Sequence, residues 1–179
     1  MRIYLFHGSS TPDIEQFKLS KVKTHREETK MEENIYAMYA FFCTEEVLLN
    51  EWEENLLAKT AVRYAKRWGG EKDYVYFASF DFEPGQVLST KERTLTERDY
   101  QKIVEHFDVG PVEDWGIFTS DQHLYYALCK HFGYKEVNEF YVYNLGRTII
   151  LGSGSWGTAK ILAPDLVKII TFSDKIKPF

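Results

Sequence analysis

The chain has 179 residues, 44% hydrophobic and 27% charged, with a net charge of −5; this suits a soluble domain with its own core and argues against a nonspecific nucleic-acid binder, which carries a basic excess. Its two cysteines, Cys43 and Cys129, make no disulfide framework or metal-type spacing and fit a reducing compartment. No apolar run approaches the roughly 20 residues that cross a bilayer, and residues 1–7 are too short for a signal-peptide core, so the expectation is one domain over 1–179, cytoplasmic, with no membrane partner and no metal.

In chain order, residues 3–6 read as a buried strand ending at His7-Gly8. Pro12 stands at a plausible first helical position, and a short helical turn would face Ile14 and Phe17 inward. Residues 18–34 mix Lys18, Lys21, Lys23, Arg26 and Lys30 with Glu27, Glu28, Glu32 and Glu33 and show no period, so they are predicted to be a solvated loop. Residues 35–42 are aromatic-rich and extended. Thr44 caps a helix with Glu45 and Glu46 in its first turn, and the helical pattern runs to about Trp68, stopped by Gly69-Gly70.

Residues 73–82 read as a strand, Pro84-Gly85 as a turn and 86–88 as a short strand. Thr96 caps a helix through Phe107, and Ser120-Asp121 caps another through Phe132-Gly133. Residues 137–143, 147–151 and 166–172 are predicted strands. Strands outnumber helices and do not alternate regularly with them, which is an α+β pattern rather than a doubly wound one.

Three pieces carry chemistry. At His7-Gly8-Ser9 a strand-ending imidazole can bond a ribose hydroxyl, and the glycine lets a flat ligand approach the backbone; a strand-ending turn with a half-buried histidine reads the same way. Phe41-Phe42-Cys43-Thr44, with Ala61 and Tyr64 one helical turn apart downstream, offers aromatic faces for a planar cation, each contact contributing roughly 1 kcal/mol. Those rings also suit a plain core. In Asn138-Glu139-Phe140-Tyr141-Val142-Tyr143, strand geometry would point Glu139, Tyr141 and Tyr143 to one face. A carboxylate there could stabilise a ribosyl cation, or simply face solvent.

Gly152-Ser153-Gly154-Ser155-Trp156-Gly157 is a literal G-x-G-x-x-G. The dinucleotide fingerprint needs a following helix and a larger parallel sheet, and too little chain remains after Gly157. A glycine loop between two strands is the expectation.

In order and spacing, the three pieces resemble the ADP-ribosyltransferase superfamily, in its diphtheria-toxin and poly(ADP-ribose) polymerase branch. The resemblance lies in islands between residues 5 and 144, and residues 145–179 carry none of it. It implies an α+β split β-sandwich with flanking helices. It implies NAD as substrate, with His7, Gly8 and Ser9 gripping it, Phe41 and Tyr64 clamping nicotinamide, and Glu139 as the catalytic residue. Phe41 stands where the family has Tyr, and Tyr39 could supply the phenol. The implied activity is mono-ADP-ribosyl transfer from NAD to a protein or nucleic-acid acceptor, with loss of nicotinamide. The alternative is a catalytically degenerate module that binds NAD or ADP-ribose.

Overall fold

The computed structural model describes residues 1–9, 11, 13–26, 31–48, 56–57, 59–61, 74–89, 91–111, 120–152 and 154–173. The elements run β1 (Arg2–Ser9), β2 (Ser20–Arg26), β3 (Met31–Cys43), α1 (Glu45–Leu48), β4 (Tyr74–Asp81), β5 (Val87–Leu88), α2 (Glu97–Phe107), α3 (Asp121–Phe132), α4 (Tyr134–Leu145), β6 (Ile149–Leu151), β7 (Trp156–Ile161) and β8 (Lys168–Ser173). The chain is α+β. Its strands form one hydrogen-bonded path, β5-β6-β7-β3-β1-β4-β8, with β2 paired to the first half of β3. Among the described residues only β5 and β6 pair in parallel.

The sheet is curled, and chain connectivity requires it. Val87 opens β5 six residues after Asp81 closes β4. In the strand order these two are five gaps apart, about 24 Å across a flat sheet at about 4.8 Å per strand. Six residues reach about 20 Å at full extension, and Pro84–Gln86 is a tighter 3-10 turn. The sheet must therefore bend its β5–β6 edge back towards β4. Inside the curl, Ile3 and Leu5 of β1, Phe42 of β3, Tyr76 and Phe80 of β4 and Ile161 of β7 form one buried apolar cluster.

The glycine run is the hairpin connection between antiparallel β6 and β7. A Cβ on Gly157 would lie 3.2 Å from the Phe42 ring, so this glycine makes room for a core aromatic. Among the described residues a strand, β7, follows the glycines where the dinucleotide fingerprint needs a helix.

Helices α2, α3 and α4 build a second cluster around Ile103, Leu124, Tyr125, Val137 and Tyr141, which includes Ala37 of β3 and Ile150 of β6. Thr96 caps α2 as expected: its Oγ1 accepts from Asp99 N, while Asp99 Oδ2 accepts from Thr96 N. Gly133 joins α3 to α4 at φ 94°, a backbone that side-chain-bearing residues rarely adopt.

Three expectations are overturned. Residues 137–143 are helical and lie within α4. The buried residues are Val137, Asn138, Phe140 and Tyr141, a spacing of one helical face, and Gly133 and Gly146 bracket the helix. Within the segment 18–34, residues 20–26 and 31–34 are strand and not loop: β2 and the start of β3 pair from Ser20↔Ala37 to Arg26↔Met31. The short helical turn expected to face Ile14 and Phe17 inward is an irregular segment, although Phe17 is buried.

Candidate functional site

Strand β1 is paired along its whole length with β4, up to Ser9↔Tyr74. Its ladder with β3 covers only Tyr4↔Cys43, Leu5↔Phe42 and Phe6↔Phe41. In that register His7 would next stand opposite Ala40, and Gly8 opposite Tyr39. Instead the Tyr39 carbonyl accepts from His7 Nδ1 at 2.7 Å, and no ladder pair joins Gly8 to β3. The two strands part here.

The bond sets the tautomer of His7. A carbonyl only accepts, so Nδ1 carries the proton and Nε2 presents its lone pair. Burial pushes the imidazole below its ordinary value of 6.5, opposed in part by the carbonyl bond. His7 is thus a neutral ring whose Nε2 can accept from a hydroxyl.

An aromatic side chain packs on this ring. Phe17 meets it edge-on at 5.0 Å between centroids, and meets Tyr76 at 5.6 Å. The fully buried Tyr76 donates its hydroxyl to Thr11 O at 2.6 Å and accepts from Ile14 N at 3.0 Å. Ser9 Oγ accepts from Thr11 N at 3.1 Å. Thr11, Ile14 and Phe17 are therefore fastened over the end of β1. Sequence reasoning placed Phe17 inward but gave neither it nor Tyr76 a part in the site, because both act through contacts distant in sequence.

Tyr39 and Phe41 lie on the other face of the sheet. Pairing puts Phe41 on the side of Phe6, and the one-residue step to His7 crosses to the opposite side. Phe41 packs edge-on against Tyr39 at 5.8 Å, in a cluster with Phe6, Cys43, Val47, Leu57 and Ala61. Ladder pairing sets Lys160 beside Tyr39, and the Lys160 ammonium bonds the Tyr126 hydroxyl of α3. Tyr64 lies outside the described residues.

Glu139 sits on α4, exposed to solvent, not on a strand opposite His7. It lines a cleft of about 410 Å³ with Phe17, Lys18, Tyr143, Pro164 and Asp165 among others. His7 is not part of that lining, and Phe17 is the residue the two neighbourhoods share. Glu136, three residues earlier, is 3.9 Å from His106.

Both cysteines are buried and neither is in a disulfide. Among the described residues no group of three or more His, Cys, Asp or Glu could hold a metal ion, and no helix is long and apolar enough to cross a membrane. Comparison with protein-family models, with curated proteins and with solved structures finds no match to this chain.

Proposed function

We propose that this protein binds NAD, or another nucleotide bearing ADP-ribose, at the parting of β1 and β3. The observation that carries the reading is the end of the β1–β3 ladder at Phe6↔Phe41, with His7 held by the Tyr39 carbonyl. His7 Nε2 accepts from a ribose hydroxyl. The Gly8 backbone faces a side with no ladder partner and suits a carboxamide. Tyr39 and Phe41 offer ring faces for nicotinamide across the gap. The curl of the sheet supports a split β-sandwich reading of the fold, the arrangement that the motif resemblance implies.

A second reading makes the chain an NAD-dependent mono-ADP-ribosyltransferase, with Glu139 promoting loss of nicotinamide and ADP-ribose passing to a macromolecular acceptor. The cleft that Glu139 shares with Phe17, against which His7 packs, favours it. The binding reading stands first because Glu139 is on an exposed helix and outside the His7 surroundings.

Calorimetric titration with NAD tests the first reading. Saturable binding is expected. His7→Phe keeps the ring packing and removes the acceptor, so affinity should fall about 5- to 10-fold, the worth of one hydrogen bond of about 1 kcal/mol or slightly more. Absence of saturable binding at millimolar NAD defeats the reading. Nicotinamide release by the wild type, lost in a folded Glu139→Gln variant, would select the transferase; binding without release selects the module.

A further inference from the structure

Polar atoms buried without a partner gather in one place. Among the described residues there are six such side-chain atoms, and five belong to Tyr100, Asp121, Tyr141, Arg147 and Thr148. Tyr100 comes from α2, Asp121 from the first residue of α3, Tyr141 from α4, and Arg147 and Thr148 from the approach to β6. Asp121 and Tyr141 are fully buried, and Arg147 and Thr148 nearly so.

Shared bonding to Thr94 ties Asp121 to Arg147, and Tyr100 and Tyr141 each lie close enough to Asp121 to feel its charge. Asp121 Oδ2 accepts from Thr94 N and Thr94 Oγ1, both at 2.6 Å, and from Leu95 N at 3.2 Å. The Arg147 guanidinium donates to the carbonyls of Gly85, Val87 and Thr94. Acid and base thus grip opposite ends of one residue, Thr94. Arg147 N donates to Tyr141 O at 2.9 Å, which brings α4 to the same point. The Tyr141 phenol is held well above its ordinary range, first by burial, with Asp121 and Tyr100 contributing and Arg147 opposing. It therefore stays protonated and has a hydrogen to donate.

What remains unmatched has a definite chemistry. Tyr100 Oη, Tyr141 Oη, Thr148 Oγ1 and Arg147 Nε all carry hydrogens, while Asp121 Oδ1 can only accept. The hydroxyl oxygens can accept as well, but none of the five atoms has a protein partner within hydrogen-bonding distance. Water can accept from two donors and give two hydrogens onward. A metal ion is disfavoured by the neighbouring guanidinium, and an apolar occupant would leave every group unmatched.

We propose that this junction of α2, α3, α4 and the start of β6 is a built internal solvent site, in which ordered water accepts from Arg147 Nε and a tyrosine hydroxyl and donates to Asp121 Oδ1. Such waters commonly make about three hydrogen bonds to buried groups and are costly to remove. The site joins three helices to the sheet and fixes α4, the helix that carries Glu139. It stands independently of any nucleotide.

A crystal structure of the full chain, at a resolution that shows ordered solvent, tests the site. The expected result is a solvent peak within hydrogen-bonding distance of Asp121 Oδ1 and of Tyr141 Oη or Arg147 Nε. Direct bonding of Oδ1 to a protein group, with no solvent peak, overturns the proposal. Oxygen-17 relaxation dispersion gives a second measurement in solution. Tyr141→Phe and Tyr100→Phe should each lower the long-lived-water amplitude relative to the wild type, and an unchanged amplitude in both overturns it. If Tyr141→Phe does not fold, Tyr100→Phe, altering a half-buried residue, carries the comparison alone.

Discussion

Removing the hydroxyl of Tyr76 probes whether the segment over β1 is fastened as described. Tyr76→Phe keeps the ring, and with it the edge-on contact to Phe17 at 5.6 Å. It deletes the donor to Thr11 O and the acceptor for Ile14 N. Thr11 is exposed, so water can replace its lost partner at small cost; Ile14 is only half-exposed, and its N–H recovers less. At about 1 kcal/mol per net hydrogen bond, and somewhat more for a donor left unsatisfied, the loss comes to about 2 kcal/mol. With a urea m-value of about 2.5 kcal/mol/M for a chain of this size, the unfolding midpoint should fall by about 0.8 M. Urea titration followed by tryptophan fluorescence measures it. NAD affinity should fall as well, since Phe17 would no longer be held against His7. A midpoint within about 0.2 M of wild type, a difference near 0.5 kcal/mol, would refute the claim that this phenol fastens the segment.

Other consequences are equally direct. Asp121→Ala orphans the Thr94 and Leu95 donors and should cost about 3 kcal/mol or more, read as a large drop in the urea midpoint. Thr96→Ala removes one half of the α2 capping box and should cost about 1 kcal/mol, with little effect on NAD binding. The half-buried, neutral His7 gives stability a pH dependence of definite sign. Above its ordinary value of 6.5 both folded and unfolded states are neutral and its contribution is complete; as pH falls below that, the unfolded chain takes up the proton first, so stability declines until the depressed folded value is passed. Midpoints measured from pH 7.5 downward should show this decline in the wild type and less of it in His7→Phe. Double substitution of His7→Phe and Phe41→Leu should give non-additive losses of NAD affinity, by about 0.5 kcal/mol or more, if one ligand touches both faces of the sheet.

How much was legible follows from where each signal resides. The bounds of α2 and α3 were readable because Thr96 and Ser120 cap locally and their first turns are acidic. Helix α4 was misread because Glu139, Tyr141 and Tyr143 alternate with Phe140 and Val142, a strand-like pattern rich in aromatic residues. The helical face of Val137, Phe140 and Tyr141, with Gly133 and Gly146 at the ends, was present in the same letters and could have decided it. Strand β2 gave no such local clue. Apart from Val22 its residues are charged or polar, and it exists through its pairing to β3, a contact that no window on the sequence contains.

The candidate site shows the same boundary between local and nonlocal information. His7 and Phe41 were each found from their neighbours, but whether they share a wall depends on strand register. A shift of one residue would set His7 opposite Phe41 and put both on one face. The observed register sets Leu5 opposite Phe42 instead, and both are buried in the core of the curled sheet. Burying those two side chains sends Phe41 to the face of α1 and leaves His7 on the inner face with Phe17. A ligand that uses both the imidazole and the aromatic pair must therefore pass through the sheet. The only place along β1 and β3 where that geometry is open, among the described residues, is beyond Phe6↔Phe41, where the Tyr39 carbonyl has left the ladder for His7.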